Sequence, residues 1–194
     1  MFHVQQFDLN LNFKPFPTLF TNRLELRQFT KADLNDYYLI RSDAKVMAAL
    51  DKNPNSFLET EALMETMQKR IEENLAIDWV ICFKENKKLI GYIGFHNIDT
   101  IHKRAEIGYA LFFDFHQKGI MNEVIKAVIN YGFSIINLHS IMANTNPVNT
   151  ASQNILLTNN FVKEAHFKED FYFNGSFTDT YIFSLINPNH TQNK

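Results

Sequence analysis

The feature that most constrains the fold is an apolar stripe between about Gly119 and Ile136. Its apolar residues recur at the spacing of one helical face, at positions 121, 124, 125, 128, 132, 135 and 136. A helix of this kind is stable when another layer of structure covers its apolar face. The chain must therefore supply a partner surface, and the segments on both sides of the stripe have the pattern of β-strands.

Strand-like runs occupy much of the remaining chain. They are rich in apolar and aromatic residues, and they comprise Arg23–Gln28, Ile77–Lys84, Leu89–Phe95, Arg104–Phe113, Ser140–Thr145, Phe161–Phe173 and Phe177–Ile186. Capping-box patterns at Thr30 and Ser56 predict two further helices, and another is predicted over Thr150–Thr158. This order predicts an α/β (α+β) fold, with a mostly antiparallel central sheet of about seven strands and helices on both faces.

The length of 194 residues suits one domain, and the hydrophobic fraction of 45% supplies its core. We predict an N-terminal arm at residues 1–15, the folded domain at 16–186 and a polar C-terminal tail at 187–194. Prolines at positions 15 and 17 stop regular structure in the arm, which could be loose or could pack on the domain. The residues after Asn187 are expected to be disordered because they are polar and terminal.

The charge and residue pattern exclude several classes of protein. A net charge of −2 gives no basic field for a nucleic-acid backbone. Neither a membrane-spanning apolar run nor a signal peptide is recognisable in the sequence. The one cysteine, Cys82, lies in an apolar run and suits a reducing compartment, so we expect a cytoplasmic protein. The histidines are scattered without ligand spacing, which predicts that no metal is bound.

A strand that leads into the long helix marks a candidate anion site. Arg104–Phe113 continues through a short polar loop to Gly119, where the helix begins. Unpaired N–H groups and the helix dipole favour a phosphate there, and a glycine lets the ligand approach the backbone. Many helices begin after a glycine without binding a ligand, so this pattern alone leaves both interpretations open.

A carboxylate in the middle of a strand is a second candidate. Glu106 lies between the apolar residues Ala105 and Ile107, where an unpaired charge loses solvation. One interpretation is a general base that takes a proton from an amine through water. The other is a partner for Arg104 or for another buried cation.

Five segments, in matching order, resemble the GNAT superfamily of N-acetyltransferases. They are residues 21–27, 90–95, 104–109, 116–123 and 146–152. More narrowly, they resemble the Rim-type transferases, which acetylate the N-terminal alanine or serine of ribosomal proteins. The similarity extends over residues 16–186, and it implies the GNAT fold with acetyl-CoA as co-substrate.

The resemblance also assigns roles to residues near the long helix. The main chain of Leu111, Phe112 and Phe113 would pair with the pantetheine arm of CoA. The Leu111 N–H would also polarise the thioester carbonyl, as a small oxyanion hole. The diphosphate would bind at the loop and helix start, formed by His116, Gln117, Lys118, Gly119, Ile120, Met121 and Asn122.

The segment around residue 150 is assigned in the same way. Asn149 would anchor the pantetheine amide or the start of its helix. The Ser152 hydroxyl would face the CoA sulfur and stabilise the leaving thiolate; otherwise it is an ordinary serine of a first helical turn. Many GNAT enzymes have a tyrosine on this helix, where this chain has Leu156, and that difference favours Ser152. The predicted catalytic residues are therefore Glu106 and Ser152.

Two positions depart from the cofactor motif Q/R-x-x-G-x-G/A. His116 occupies the first position, and Met121 occupies the last, where a small residue is usual. A neutral histidine donates less reliably to phosphate than arginine does, and Met121 must point away from the diphosphate. These departures favour an alternative, a non-catalytic acyl-CoA-binding regulatory module.

The predicted reaction is direct transfer of acetyl from acetyl-CoA to a primary amine, since Cys82 lies in a core strand and is not placed to carry the acyl group. An α-amino group with a pKa near 8 is about one-tenth neutral at pH 7, whereas a lysine is neutral about once in 2,500. This difference mildly favours the N-terminal amine of a protein or peptide, with a small-molecule amine as the alternative. We expect a monomer or a homodimer.

Overall fold

Eight strands and five α-helices make up the computed structural model, which describes residues 8–190. The strands are β1 (Leu19–Phe20), β2 (Leu24–Arg27), β3 (Ile77–Phe83), β4 (Leu89–Asp99), β5 (Arg104–Leu111), β6 (Ser140–Thr145), β7 (Val162–Phe173) and β8 (Ser176–Ile186). The helices are α1 (Leu34–Ser42), α2 (Ala44–Ala48), α3 (Phe57–Glu72), α4 (Ile120–Tyr131) and α5 (Thr150–Thr158).

All eight strands join one sheet, in the order β1-β2-β3-β4-β5-β6-β8-β7. Neighbouring strands are antiparallel except β5 and β6, which run parallel. The predicted α/β fold with a mostly antiparallel sheet is confirmed. The count differs by one from about seven, because Leu19 and Phe20 pair with Leu26 and Glu25 to form β1.

Helices cover both faces of the sheet, and each face has its own core. On one face, Val124 and Val128 of α4 are fully buried in a cluster with Trp79 of β3. On the other face, Tyr37 of α1 packs edge-on against Tyr92 of β4, with ring centroids 5.4 Å apart. The apolar stripe that predicted α4 therefore faces the sheet, as its spacing required.

The ends of the predicted helices follow local chemistry. Ser56 and Glu59 form the expected capping box at the start of α3, each side chain accepting from the other residue's amide. The predicted helix to Ile136 changes to a π turn at Gly132–Ile136, and Ile135 is exposed there. None of the helices between residues 8 and 190 has the length and apolar character that a membrane crossing requires.

The described part of the N-terminal arm packs on the domain. Phe13 is 1% exposed and belongs to the main core. Its amide donates to Oδ1 of Asn74 at 3.1 Å. Residues 8–15 therefore belong to the folded unit, whereas the rest of the predicted arm, residues 1–7, lies outside the described residues.

The predicted disorder of the C-terminal tail is wrong for residues 188–190, and Asn187, the first residue of the predicted tail, is part of the core. Asn187 is fully buried, and its side-chain amide donates to the Leu138 carbonyl at 2.9 Å. A short 3-10 turn follows at Pro188–His190. A polar residue can be buried when its hydrogen bonds are satisfied, so polarity alone misled the prediction. Residues 191–194 lie outside the described range.

Candidate active site

The site lies where β5 and β6 stop pairing. The parallel pairing extends only to Glu106 and Met142, whereas β5 continues to Leu111. The Phe112 amide donates to the Ile90 carbonyl at 2.9 Å. Because N–H groups alternate along an antiparallel strand, the Leu111 amide points away from β4, toward the gap. The Leu111 amide thus points to the gap, while the Phe112 amide is bonded within the sheet.

The start of α4 is open. Gly119 is the N-cap with φ 72°, and the described side chains include none that caps the helix. Gln117 also has a positive φ, of 57°. Left-handed residues in such a turn direct neighbouring amides to one side and create a concavity for anions. The backbone donors predicted at the helix start therefore have a geometry that suits a diphosphate.

Both departures from the cofactor motif have a structural explanation. Met121 is 6% exposed and packs into the core, so it does not crowd the helix start. The His116 ring turns back, and its Nε2 lies 3.1 Å from the Leu111 carbonyl oxygen. A carbonyl oxygen only accepts, so Nε2 is the donor in this contact. The backbone amides at the helix start, rather than this Nε2 group, are therefore the donors left open to an anion.

A cavity of about 790 Å³, here named the donor cavity, opens beside this helix start. It is lined by every predicted cofactor residue except Phe112 and Lys118. Lys45 of α2 also lines it, with Nζ 5.6 Å from the Phe113 ring centroid. Lys45 lies about 70 residues before the motif, and the sequence pattern gave no sign of it. A lysine there adds positive charge for phosphate groups.

A second cavity of about 760 Å³, here named the acceptor cavity, lies on the α1 and α3 side of β5. Glu106 lines it, and both carboxylate oxygens accept amide hydrogen bonds. Asn97 Nδ2 donates to Oε2 at 3.0 Å, and Asn144 Nδ2 donates to Oε1 at 3.2 Å. Arg104 instead lies 3.6 Å from Asp99. Neutral amides therefore hold Glu106 in place, and the alternative of a partner for Arg104 is not what the structure shows.

The two cavities share five lining residues, which define their junction. These are Ala49, Leu50, Tyr109, Asn149 and Ser152. The residues predicted to hold CoA line one side of the junction, and Glu106 lines the other. A group passing between the cavities must pass these side chains.

Two hydroxyl groups meet at the junction. The Tyr109 hydroxyl of β5 lies 2.9 Å from Ser152 Oγ of α5. Burial raises the pKa of Tyr109 to about 12, although the Ser152 hydrogen bond opposes the shift. The phenol thus stays protonated near neutral pH and can donate. Leu156 is fully buried and takes no part.

Tyr109 was missed as a functional residue. Tyr109 is the last residue of the matched segment 104–109, and nothing in the sequence distinguishes it from a tyrosine of the core. Only the alternation of β5 indicates it, because Tyr109 and Leu111 share one face of the strand.

Asn149 holds the start of α5. Its Oδ1 accepts from the Ser152 amide at 3.0 Å, which is an N-cap contact. Its Nδ2 donates to the Ala49 carbonyl at 2.8 Å. Of the two predicted roles, the structure shows anchoring of the helix start. That anchor also ties α5 to the end of α2 across the junction.

A buried acid–histidine pair lies on the floor of the acceptor cavity. Asp78 is 1% exposed, and its Oδ1 is 3.2 Å from His96 Nε2 without hydrogen-bond geometry. Burial raises the pKa of Asp78 to about 7, partly opposed by Arg70. Burial, then the charges of Arg70 and Lys52, lower the pKa of His96 to about 4.

Sequence spacing did not predict this pair, because the two residues lie on different strands. A Cβ at position 94 would stand 2.3 Å from Asp78 Oδ1, so Gly94 makes room for the carboxylate. Within residues 8–190, no group of three or more potential metal ligands occurs.

The chain belongs to the GNAT acetyltransferase family. The family described as "Acetyltransferase (GNAT) domain" matches residues 23–162. A Bacillus subtilis protein named "Uncharacterized N-acetyltransferase YoaA" is 36% identical over 174 residues, which cover 89% of this chain and 98% of that protein. The protein is accordingly an N-acetyltransferase with acetyl-CoA as its co-substrate.

Two solved structures show the same architecture with different named substrates. The ribosomal-protein-S5-alanine acetyltransferase from Vibrio fischeri has a TM-score of 0.79 and 26% identity, covering 91% of this chain and 100% of that one. The spermidine N-acetyltransferase from Vibrio cholerae, in complex with CoA and spermine, has a TM-score of 0.77 and 26% identity, covering 85% and 96%. The likeness supports the family and the fold, and it leaves the acceptor to be argued from the site.

Proposed function

We propose that this enzyme transfers acetyl from acetyl-CoA to the N-terminal amine of a protein or peptide. The observation that carries the proposal is the junction between the donor and acceptor cavities. Predicted cofactor residues lie on one side and Glu106 lies on the other, with two hydroxyl groups between them. This arrangement allows the amine and the thioester to meet directly, with no acyl-enzyme.

Glu106 is proposed as the general base. Its two amide contacts fix its orientation toward the cavity. Glu106 takes a proton from the ammonium group of the acceptor through water, and the neutral amine nitrogen that results attacks the thioester carbonyl. The proton that the nitrogen loses after the attack balances the charge of the departing thiolate. The Leu111 amide stabilises the oxyanion that forms during the attack.

Ser152 is proposed to stabilise the departing sulfur, with Tyr109 behind it. When the carbon–sulfur bond breaks, CoA leaves as a thiolate. The Ser152 hydroxyl donates a hydrogen bond to that thiolate, and the Tyr109 hydroxyl can donate to Ser152 Oγ in turn. Linked hydrogen bonds of this kind strengthen one another in a protein interior. The products are the acetylated amine and CoA.

A peptide N-terminus suits this machinery better than a lysine side chain. A carboxylate acting through water removes a proton easily from an α-amino group with a pKa near 8 and less easily from a lysine near 10.4. The ribosomal-protein acetyltransferases among the relatives act on protein substrates by name. The acceptor cavity also reaches the exposed β7 residues Phe167 and Phe171, where the chain of a peptide could lie.

A small-molecule amine is the second candidate. The similarity to the spermidine enzyme, whose structure contains spermine, favours it. A polyamine would require a cavity dominated by carboxylates, because each of its amines is cationic. The sequence indicates no Asp/Glu cluster, and the acceptor cavity is lined by acids and bases together.

The test is CoA release from acetyl-CoA with three acceptors. The first is a peptide with a free N-terminus, the second is its N-terminally blocked form with one free lysine, and the third is spermidine. We expect the free peptide to have the highest kcat/KM. A higher value for spermidine or the blocked peptide would overturn the N-terminal assignment. The cytoplasmic location and the choice between monomer and homodimer stay predictions from the sequence.

A further inference from the structure

The acceptor cavity contains cations without carboxylate partners. Arg41, Lys52 and Arg70 line it together. Within residues 8–190, none of the three has a carboxylate oxygen within 4.0 Å of its side-chain nitrogens. A charge that is partly removed from water without a counter-ion is costly. Such a set of cations therefore favours an anionic group in the cavity.

Arg41 is the most buried of the three, at 6% exposed. Its Nε donates to Oδ1 of Asn55 at 2.9 Å, and its Nη1 donates to the Tyr92 hydroxyl at 3.2 Å. Both partners are neutral, and Nη2 has no hydrogen-bond partner among the described residues. A guanidinium with two fixed contacts and one free nitrogen is preorganised to bind a carboxylate.

Arg70 and Lys52 extend this charge across the cavity floor. The charge of Arg70 lowers the pKa of both Asp78 and His96, so it is close to both groups. Desolvation lowers the pKa of Lys52, although much of its side chain is exposed, and the charge of Arg41 lowers it further. The charge of Glu106 has the opposite effect on Lys52. Lys52 is therefore close enough to both Arg41 and Glu106 for their charges to interact.

The carboxylates of the cavity are differently placed. Glu106 is held by two asparagine amides, and Asp51 accepts from Asn146 Nδ2 at 3.0 Å. Asp170 lies on exposed β7, at the edge of the cavity. Asp78 is buried beside His96, and its raised pKa reduces its charge near neutral pH. Glu106 and Asp51 are therefore oriented by neutral amides, whereas the three cations have no carboxylate partner among the described residues.

We propose that the acceptor is a primary amine that carries a carboxylate in the same molecule. The amine is directed to Glu106 and the junction, and the carboxylate is bound by Arg70 and Arg41. Both a peptide with an acidic residue near its N-terminus and a free amino acid have this chemistry. The inference rests on the proposed acetyl transfer, and it separates this chain from an enzyme for polyamines.

The experiment compares matched acceptors in the full-length enzyme. Two peptides of identical sequence begin with Ser-Asp or Ser-Asn, so that they differ only in a carboxylate and its neutral isostere. Free aspartate and spermidine complete the set. We expect kcat/KM for the Ser-Asp peptide to exceed that for the Ser-Asn peptide at least tenfold. A higher value for free aspartate than for the Ser-Asp peptide would identify an amino acid as the source of the carboxylate.

Arg70→Gln should reduce the Asp-to-Asn preference to about one, with acetyl-CoA binding unchanged. The control is Lys69→Gln, the adjacent position on α3, whose exposed side chain lies 3.9 Å from Glu73. It should keep the full preference. Arg70 is chosen because Arg41 is buried and its replacement could unfold the protein.

Three outcomes are decisive. Equal turnover of the two peptides by the wild-type enzyme overturns this inference and leaves the proposed N-terminal acetylation intact. If the wild-type enzyme prefers spermidine, and Arg70→Gln increases that preference, both this inference and the proposed N-terminal acetylation are overturned. If acetyl-CoA binds and no acceptor releases CoA, the proposed function fails first, and the substrate class fails with it.

Discussion

The donor and acceptor cavities are built in different ways. In the donor cavity, the amides proposed to bind CoA, at the start of α4 and at Leu111, lie in one stretch of chain, and Lys45 and residues of α5 complete the lining. The acceptor cavity offers side chains from α1, α3, β4, β5 and β6, which are distant in sequence. Backbone donors recognise the constant part of a reaction, the acetyl-CoA, whereas side chains can change to suit the acceptor. Solved structures of the same fold are named for different acceptors, and one fold can host different functions in this way.

Replacement of Glu106 should have the largest effect, because it removes the proposed base from the acceptor side. We expect Glu106→Gln to lower kcat at pH 7 about 100-fold or more. At high pH the amine loses its proton without help, so part of the rate should return. The measurement is the pH profile of kcat.

Glu164→Gln is the control for this variant, since Glu164 lies on β7 and accepts from Ser184 at 2.7 Å outside both cavities. It should retain the wild-type rate and profile. An unchanged pH profile in Glu106→Gln would argue against the base role.

Removal of the two hydroxyl groups at the junction should lower kcat less than replacement of Glu106 does, and the two removals should not be independent. Tyr109→Phe and Ser152→Ala should each lower kcat about tenfold, and the double variant should cost less than the product of the two, because the hydroxyls act as a unit. The affinity for CoA should stay the same by calorimetry. Tyr131→Phe is the control, since Tyr131 is a buried tyrosine in the core. Wild-type turnover in Ser152→Ala would remove Ser152 from the mechanism.

A change in the donor cavity should alter the affinity for CoA rather than kcat. Gly119→Ala places a side chain at φ 72°, which costs about 1–2 kcal/mol and disturbs the amides at the helix start. We expect the Kd for CoA to rise about fivefold, measured by calorimetry. Gly175→Ala is the matched control, because φ is 85° in the β7–β8 turn and Gly175 lines neither cavity. An equal change of Kd in both variants would contradict a local role for Gly119.

The floor of the acceptor cavity should control the pH dependence of stability. The pKa of Asp78 is about 7 in the fold, against an ordinary value of 3.8. The fold therefore favours protonated Asp78. The stability that this preference contributes is lost as the pH rises from about 4 through 7. His96 acts oppositely: its pKa is about 4 in the fold, against an ordinary 6.5. Stability is therefore lost through His96 as the pH falls from about 6.5 to 4.

The variant Asp78→Asn isolates the first effect. It should raise Tm by a few degrees at pH 8 and leave it nearly unchanged at pH 4, as measured by thermal unfolding at both values. The donor-side variant Gly119→Ala should show no such pH dependence. A lower Tm for Asp78→Asn at pH 8 would contradict the assigned pKa.

The same contrast explains what sequence could predict. The donor site follows from one short stretch, because strand, loop and helix start are adjacent in the chain. The partners of Glu106 did not follow, since Asn97 and Asn144 meet it only through strand pairing. The positions of Arg41 and Arg70 in the acceptor cavity could not be predicted either, because an arginine on a helix usually faces solvent. Burial of Asn187 was missed because its hydrogen bonds to the chain near Leu138 depend on tertiary contacts.

The most direct test of the central claim is a crystal structure of the enzyme with CoA. The account predicts the diphosphate on the amides of residues 120–122 and the sulfur at the junction, within hydrogen-bonding reach of Ser152 or Tyr109. A diphosphate bound elsewhere, or a sulfur directed away from the acceptor cavity, would contradict it.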